Sequence, residues 1–148
     1  MCGIAGFNWS DKDLVIDMAN KLSHRGPDDE GYFCEDDISL GHTRLSILDL
    51  SHLGKQPMSY IRDNKEVVIT YNGEIYNYKE IRDKLIKKGY NFNTGTDTEI
   101  ILASYLEWGQ DCVRYFNGMW AFAILDLQKN LLWLSRDRFG KKPLYYGW

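Results

Sequence analysis

The spacing of apolar and polar positions predicts short strands interleaved with a few helices. Leu14, Val15, Met18, Ala19 and Leu22 recur at helical intervals between acids and lysines, the mark of a helix that buries one face, over about Asp11–Ser23. Ahead of it, Gly3–Trp9 is short, apolar and glycine-bearing, which predicts an N-terminal strand. Behind it, His24-Arg25-Gly26-Pro27-Asp28-Asp29 holds a Gly-Pro pair that cannot continue a helix and predicts a loop. Gly31–Cys34 and Ile38–His42 are strand candidates on either side of the acidic Glu35-Asp36-Asp37, with Thr43–Ile47 prolonging the second. Leu48–Arg62 carries Gly54, Pro57 and several polar residues and reads as irregular. Val67, Val68 and Ile69 predict a strand over Glu66–Tyr71, and the Asn72-Gly73 pair behind it predicts a sharp turn.

Tyr78, Ile81, Arg82, Leu85 and Ile86 define a second amphipathic helix, stopped at Gly89. Thr96-Asp97-Thr98-Glu99 ahead of Ile100, Ile101, Leu102, Tyr105 and Leu106 matches a capping box that opens a third. Met119–Leu127, Leu131–Ser135 and Leu144–Trp148 read as strands, the first two joined by Gln128-Lys129-Asn130. Strands outnumber helices and no strict strand-helix alternation appears, so the pattern favours an α+β fold over a doubly wound sheet. No internal repeat is visible.

A chain of 148 residues is long enough for one core and short for two, so a single domain is expected. With 44% hydrophobic and 14% aromatic residues it lies far from disordered composition. The 18 Lys and Arg against 21 Asp and Glu leave a net charge of −3, which argues against a nucleic-acid partner. The longest apolar stretches, such as Met119–Leu125, fall far short of a membrane span. The start of the chain has no basic n-region or apolar h-region, so no secretory signal is expected and a cytoplasmic setting is the default. Cys2, Cys34 and Cys112 are odd in number and lack metal-binding spacing, so free thiols and no metal site are expected. His24, His42 and His52 have nothing local to orient a Cys-His pair with Cys34 or Cys112, which read as structural. No phosphate loop is present, so this chain by itself is not expected to use ATP. Trp9, Trp108, Trp120, Trp133 and Trp148 read as core or interface packing.

Cys2 is the residue with the most chemical promise. Removal of Met1 would expose it as the N-terminus, so that one residue carries both a thiol nucleophile and an α-amine, which titrates near ~7.7–8.0 and can take the thiol proton. By position alone, a cysteine beside a start methionine is equally at home as a minor core residue.

The wider sequence changes that weighing. Met1-Cys2-Gly3-Ile4, His24-Arg25-Gly26-Pro27-Asp28, Arg44-Leu45-Ser46-Ile47, Tyr71-Asn72-Gly73-Glu74-Ile75-Tyr76-Asn77, Thr94-Gly95-Thr96-Asp97, Arg136-Asp137-Arg138-Phe139-Gly140 and Pro143-Leu144-Tyr145-Tyr146 occur in one order along the chain. Together they resemble the class II glutamine amidotransferase domain, and more narrowly the N-terminal glutaminase domain of glutamine-hydrolysing asparagine synthetases. The resemblance covers essentially residues 1–148 and implies a four-layer αββα N-terminal-nucleophile hydrolase fold, with two antiparallel sheets between helical layers. It also implies that the family's last glutaminase strands and its synthetase domain lie outside this sequence.

The resemblance implies roles as well. Cys2 is the nucleophile, and the Asn72 amide and the Gly73 N–H form the oxyanion hole. Arg44 holds the glutamine α-carboxylate, for which its planar fork suits it. Glu74 and Asp97 hold the α-ammonium, although an acid in the first turn of a helix, as Asp97 is, stabilises that helix in any protein. Backbone groups of Leu45, Ile47 and Leu48 help to build the side-chain pocket, and Arg25–Asp28 forms a mobile loop that closes over the site. L-Glutamine is then the substrate, and the ammonia passes to an ATP-dependent synthetase domain, to which ATP and Mg would belong; this domain needs no cofactor. Self-association into a homodimer stays open. Three alternatives remain at this level: a glutaminase domain serving another acceptor, such as a sugar or cell-surface component, a non-catalytic glutamine-binding module, and a thiol redox protein.

Overall fold

Alternating side chains on the central strands need cover on both sheet faces, and the layers of the protein supply it. The computed structural model describes residues 1–35 and 37–147. In chain order the elements are β1 (Gly3–Phe7), α1 (Lys12–Lys21), β2 (Asp29–Glu35), β3 (Ile38–Arg44), β4 (Met58–Arg62), β5 (Lys65–Ile75), α2 (Tyr78–Ile86), α3 (Asp97–Trp108), β6 (Gly118–Asp126) and β7 (Leu131–Arg136). Short 3₁₀ turns lie at Ser23–Arg25, His52–Gly54 and Gly109–Tyr115. One antiparallel sheet has the order β1-β3-β2 and the other β4-β5-β6-β7.

The strand β5 shows how the layers form. Its residues Val67, Ile69, Tyr71 and Ile75 pack with Ile81 and Leu85 of α2 and Ile100, Ile101 and Leu102 of α3 in the larger core cluster. Val68, on the opposite face, packs with Ile38 and Leu40 of β3 and with Ala123 and Leu125 of β6, between the two sheets. Val15 and Ala19 of α1 are buried on the far side of the β1-β3-β2 sheet, where α1 meets β3. The arrangement is therefore α1, three strands, four strands, then α2 and α3: the expected four layers, αββα, with two antiparallel sheets between helical layers.

Local signals explain most element ends. The Asp11 carboxylate caps α1 by accepting from the Leu14 N–H at 3.0 Å. α2 ends in a Lys87-Lys88-Gly89 turn, where Gly89 takes φ 84° and Tyr90 N–H reaches back to the Leu85 carbonyl. The Thr96 hydroxyl caps α3 by accepting from the Glu99 N–H at 3.4 Å. The other half of the expected capping box is absent, because the Glu99 carboxylate instead accepts from the Asn93 and Thr94 N–H groups in the preceding loop. The α3 segment from Asp97 to Tyr105 is buried all round, so it is a core helix and not an amphipathic one.

Three strand expectations change. Asn72-Gly73 is no turn: β5 continues through it, with Asn72 opposite Ala121 and Gly73 opposite Trp120, because β6 supplies a nine-residue partner. The tight hairpin falls on Asp63-Asn64, both left-handed at φ 51° and 60°, which joins β5 to a strand, β4, inside the segment read as irregular. Residues 144–147 are not a strand, and Trp148 lies outside the described residues, as does Asp36 of the expected acidic separator. Among the described residues, no helix is long and apolar enough to cross a membrane.

Two polar contacts stitch the sheets together. The Thr70 hydroxyl donates to the Gly41 carbonyl at 3.0 Å, and His42 Nε2 donates to the Tyr71 carbonyl at 3.0 Å. His42 is 1% exposed, and its Nδ1 has no partner among the described residues. Burial lowers its pKa to about 4, against the opposing pull of the Tyr71 carbonyl. A proton therefore binds the unfolded chain before it binds the folded one, and stability present above pH 6.5 is lost as the pH falls toward 4. Urea titrations across that range are expected to show about 3 kcal/mol lost from this one group. His42→Gln, which keeps a donor for the Tyr71 carbonyl, is expected to flatten the slope.

Candidate active site

Cys2 sits immediately before β1, where the pairing of Gly3 with Thr43 on β3 fixes the chain direction. Its thiol lies between the two backbone polar groups of Leu45: the Leu45 N–H donates to Sγ at 3.4 Å, and Sγ faces the Leu45 carbonyl at 3.8 Å. Arg25 Nε donates to the Cys2 carbonyl at 3.1 Å, so the backbone behind the sulfur is anchored. The segment after Arg25 is tied to β3: Asp28 N–H donates to the Arg44 carbonyl at 3.0 Å, and the Asp28 carboxylate accepts from the Ser46 N–H at 2.7 Å. The expected closing loop at Arg25–Asp28 is in this structure a brace for Cys2 and β3, because its backbone and carboxylate are spent on those bonds.

Opposite Cys2 runs the second half of β5. Pairing with β4 ends at Ile69, opposite Met58, so the next stretch of that edge has no strand beside it. Successive strand residues direct their N–H groups to alternate edges, and Tyr71, Gly73 and Ile75 all face the uncovered one. Tyr71 N–H donates to Gln56 Oε1 at 2.7 Å, and Ile75 N–H donates to Asp97 Oδ2 at 2.8 Å. Gly73 cannot turn to Trp120, whose N–H and carbonyl are engaged by Asp137 on the β7 side. Its N–H is left with no protein partner among the described residues and faces a cavity. A side chain at Gly73 would strike the Met119 carbonyl, the Tyr71 ring and the Trp120 backbone, so the close approach demands glycine. The neighbouring Asn72, 4% exposed, lies on the same face of β5 as Val68 and Thr70, toward the sheet that carries Cys2.

All nine residues singled out from the sequence line this one cavity of about 220 Å³: Cys2, Asn72 and Gly73, with Arg44, Leu45, Ile47, Leu48, Glu74 and Asp97. Arg44, at the end of β3, is buried, and its guanidinium donates to the Ser51 carbonyl at 2.7 Å and to the Asp49 carbonyl. Those two bonds hold the fork and leave further N–H donors on it. Asp97 opens α3 and is 5% exposed; its Oδ2 accepts from both the Tyr71 hydroxyl and the Ile75 N–H at 2.8 Å. Burial raises the Asp97 pKa, and the bonds from Ile75 and Tyr71 resist that rise. Ile47 and Leu48 stand exposed at the rim.

Several lining residues escaped the sequence reading. Gln56 accepts from Tyr71 N–H and donates to the Thr98 hydroxyl at 3.3 Å, which ties the loop before β4 to β5 and α3. Tyr71 fixes Asp97, and the price of burying its hydroxyl among carboxylates is a pKa well above the ordinary tyrosine value. Asp49 bridges Ser51 and Gly95 and frames Arg44. Lys142 reaches the cavity from behind β7. No local pattern shows these roles, since each depends on at least one contact distant in sequence. Cys34 and Cys112 stay away from the cavity as free thiols; burial pushes Cys112 up to about 12, which makes it inert.

The comparisons bear directly on this constellation. A family model described as the glutamine amidotransferase domain matches residues 1–148. A protein of Methanocaldococcus jannaschii bearing the name of a second glutamine-hydrolyzing asparagine synthetase is 48% identical over 100% of this chain and 32% of its own length. Asparagine synthetase (glutamine-hydrolyzing) 3 of Bacillus subtilis is 42% identical over 99% of this chain and 25% of its own. The chain thus spans a third or less of these curated relatives. Among solved structures, a glutamine phosphoribosylpyrophosphate amidotransferase from B. subtilis, complexed with ADP and GMP, superposes with a TM-score of 0.71 at 16% identity, over 85% of this chain and 35% of that one, a likeness of fold. With the family model spanning the whole sequence and an αββα fold beneath it, the chain belongs to the glutamine amidotransferase domain family.

Proposed function

We propose that the domain hydrolyses L-glutamine to glutamate and ammonia through a γ-glutamyl thioester on Cys2, and that the ammonia serves an ATP-dependent asparagine synthetase domain of the parent protein. The observation that carries the first half is that the Gly73 N–H, on the β5 edge beyond β4 and without a protein partner among the described residues, faces the same cavity as the Cys2 thiol and Asn72. The names and lengths of the relatives support the second half.

The chemistry follows from the placement. With Met1 removed, the Cys2 α-amine takes the thiol proton and the sulfur attacks the side-chain amide carbon of glutamine. The oxygen of the tetrahedral intermediate gains its charge between the Asn72 amide and the Gly73 N–H, both fixed before the charge forms. The α-ammonium returns the proton to the departing nitrogen, ammonia leaves, and the thioester remains. A water then loses a proton to the same amine and attacks the thioester in the same hole, releasing glutamate and the thiol. Arg44 takes the substrate α-carboxylate, while Glu74 and Asp97 take its α-ammonium. An incoming cation also relieves the cost of keeping Asp97 charged in a buried place. These two clamps select a free amino acid over a peptide, which lacks one charged end or both. Leu45, Ile47 and Leu48 bound the space for the side chain. A glutamate there would set a negative charge against the apolar side chains of these three residues.

Treatment with a diazo-ketone glutamine analogue, followed by peptide mass mapping, is expected to place the adduct on Cys2 of chains that have lost Met1. An adduct elsewhere, or activity in chains that retain Met1, would overturn the mechanism. Cys2→Ala is expected to abolish glutamate release while calorimetry still detects glutamine binding. Asn72→Ala is expected to lower kcat by roughly 10²–10³ with KM little changed, since it removes a donor used chiefly in the transition state. Gly73→Ala is expected to lose activity and about 1–3 kcal/mol of stability in urea titrations, because the added methyl overpacks a strand crossing.

A further inference from the structure

Lys142 has no place in the chemistry above, yet it is one of the most confined charges in the protein. It is 5% exposed and lines the cavity that holds Cys2. Its ammonium donates to Met1 Sδ at 2.8 Å, a weak acceptor for a full charge. Among the described residues no carboxylate forms an ion pair with it.

The backbone around Lys142 is built to hold it there. The Asp137 carboxylate accepts from the N–H groups of Trp120, Phe139, Lys141 and Lys142, and Arg136 Nε donates to the Lys142 carbonyl at 2.9 Å. The loop that presents the lysine is thus fastened to β6 and to the end of β7. A buried cation with so poor a partner is costly unless another group uses its charge. Met1, the residue it touches, is also the one whose removal the Cys2 mechanism requires.

We infer that Lys142 is a positioning residue of the Cys2 centre: once Met1 is gone, its ammonium acts across the cavity and biases the Cys2 amine and thiol toward their deprotonated forms. A nearby cation disfavours a second positive charge on the amine and favours a negative one on the sulfur, so both effects have the same sign. The other charges that face Lys142 are Arg25 from the turn before β2, Glu74 from β5 and Asp137 from its own loop. Burial, followed by Arg25, lowers the Lys142 pKa, while Cys2, Glu74 and Asp137 raise it. The inference rests on Cys2 being the nucleophile.

The test is the pH dependence of Cys2 alkylation by iodoacetamide, read by peptide mass mapping on chains whose intact mass shows that Met1 is absent, alongside the pH profile of glutamate release. Lys142→Met and Lys142→Gln are expected to move the midpoint of Cys2 alkylation upward by about one pH unit, with Lys142→Arg staying at the wild-type position. An unmoved midpoint in a neutral variant with wild-type thermal stability overturns the inference. So does Lys142→Arg moving as far as Lys142→Met, since packing and not charge would then be at work. If neither neutral variant folds, the wild-type chain decides: lysine acylation with acetic anhydride should label Lys142 at least roughly fivefold more slowly once Cys2 carries the diazo-ketone adduct, and equal labelling refutes the placement. Absence of any Cys2 adduct would instead sink the hydrolase reading itself. An adduct with an unmoved alkylation midpoint removes only the role of Lys142.

Discussion

β4 stops pairing with β5 at Ile69, and every backbone N–H beyond that point on the open edge needs a partner from somewhere else. Gln56 answers Tyr71 and Asp97 answers Ile75, each at hydrogen-bond distance, while Gly73 between them stays open to the cavity. The site is in this sense a gap in a hydrogen-bond ladder. Its rigidity comes from the same source, since the unmet donor sits on a strand that is paired to β6 along its other edge. A loop could present the same N–H, but only with the freedom that costs a preorganised donor its advantage.

The gap would be of little use without the second sheet. Thr70 and His42 link β5 to β3, and β3 in turn carries β1, at whose start Cys2 lies. The Cys2 thiol and the Gly73 N–H thus come from different sheets, and the packing of Val68, Leu40 and Leu125 between those sheets sets their separation. The charged groups of the cavity follow a related logic. Arg44 and Asp97 are both buried, and each is steadied by protein groups: Arg44 by two carbonyls, Asp97 by a hydroxyl and an N–H. Both charges lie in a low-dielectric place, where an opposite charge interacts more strongly than it would in water.

The amino-acid order made the α+β class, the three helices and most strands legible, because apolar spacing, the Thr96 cap and the Gly89 stop are local signals whose cause lies within a few residues. It also marked Cys2, Arg44, Asn72, Gly73, Glu74 and Asp97, since their types and order resemble a known domain family. The same local logic misread Asn72-Gly73 as a turn. Its hairpin propensity is real, but nine residues of β6 outweigh it, and the positive-φ turn goes to Asp63-Asn64. The missing half of the capping box has a similar cause, with Glu99 drawn off by the loop before it.

What the chain by itself decided was which residues would be apolar, which would cap, and which carried a thiol, an amide or a charge. Only the tertiary structure decided that the Gly73 N–H would face the cavity without a partner among the described residues, that Gln56 and Tyr71 would brace the site, and that Lys142 would lie buried beside Met1. The physical reason is range. Capping and periodicity act over one or two turns of chain, whereas these contacts join residues from 15 to 141 positions apart and exist only after the sheets have stacked.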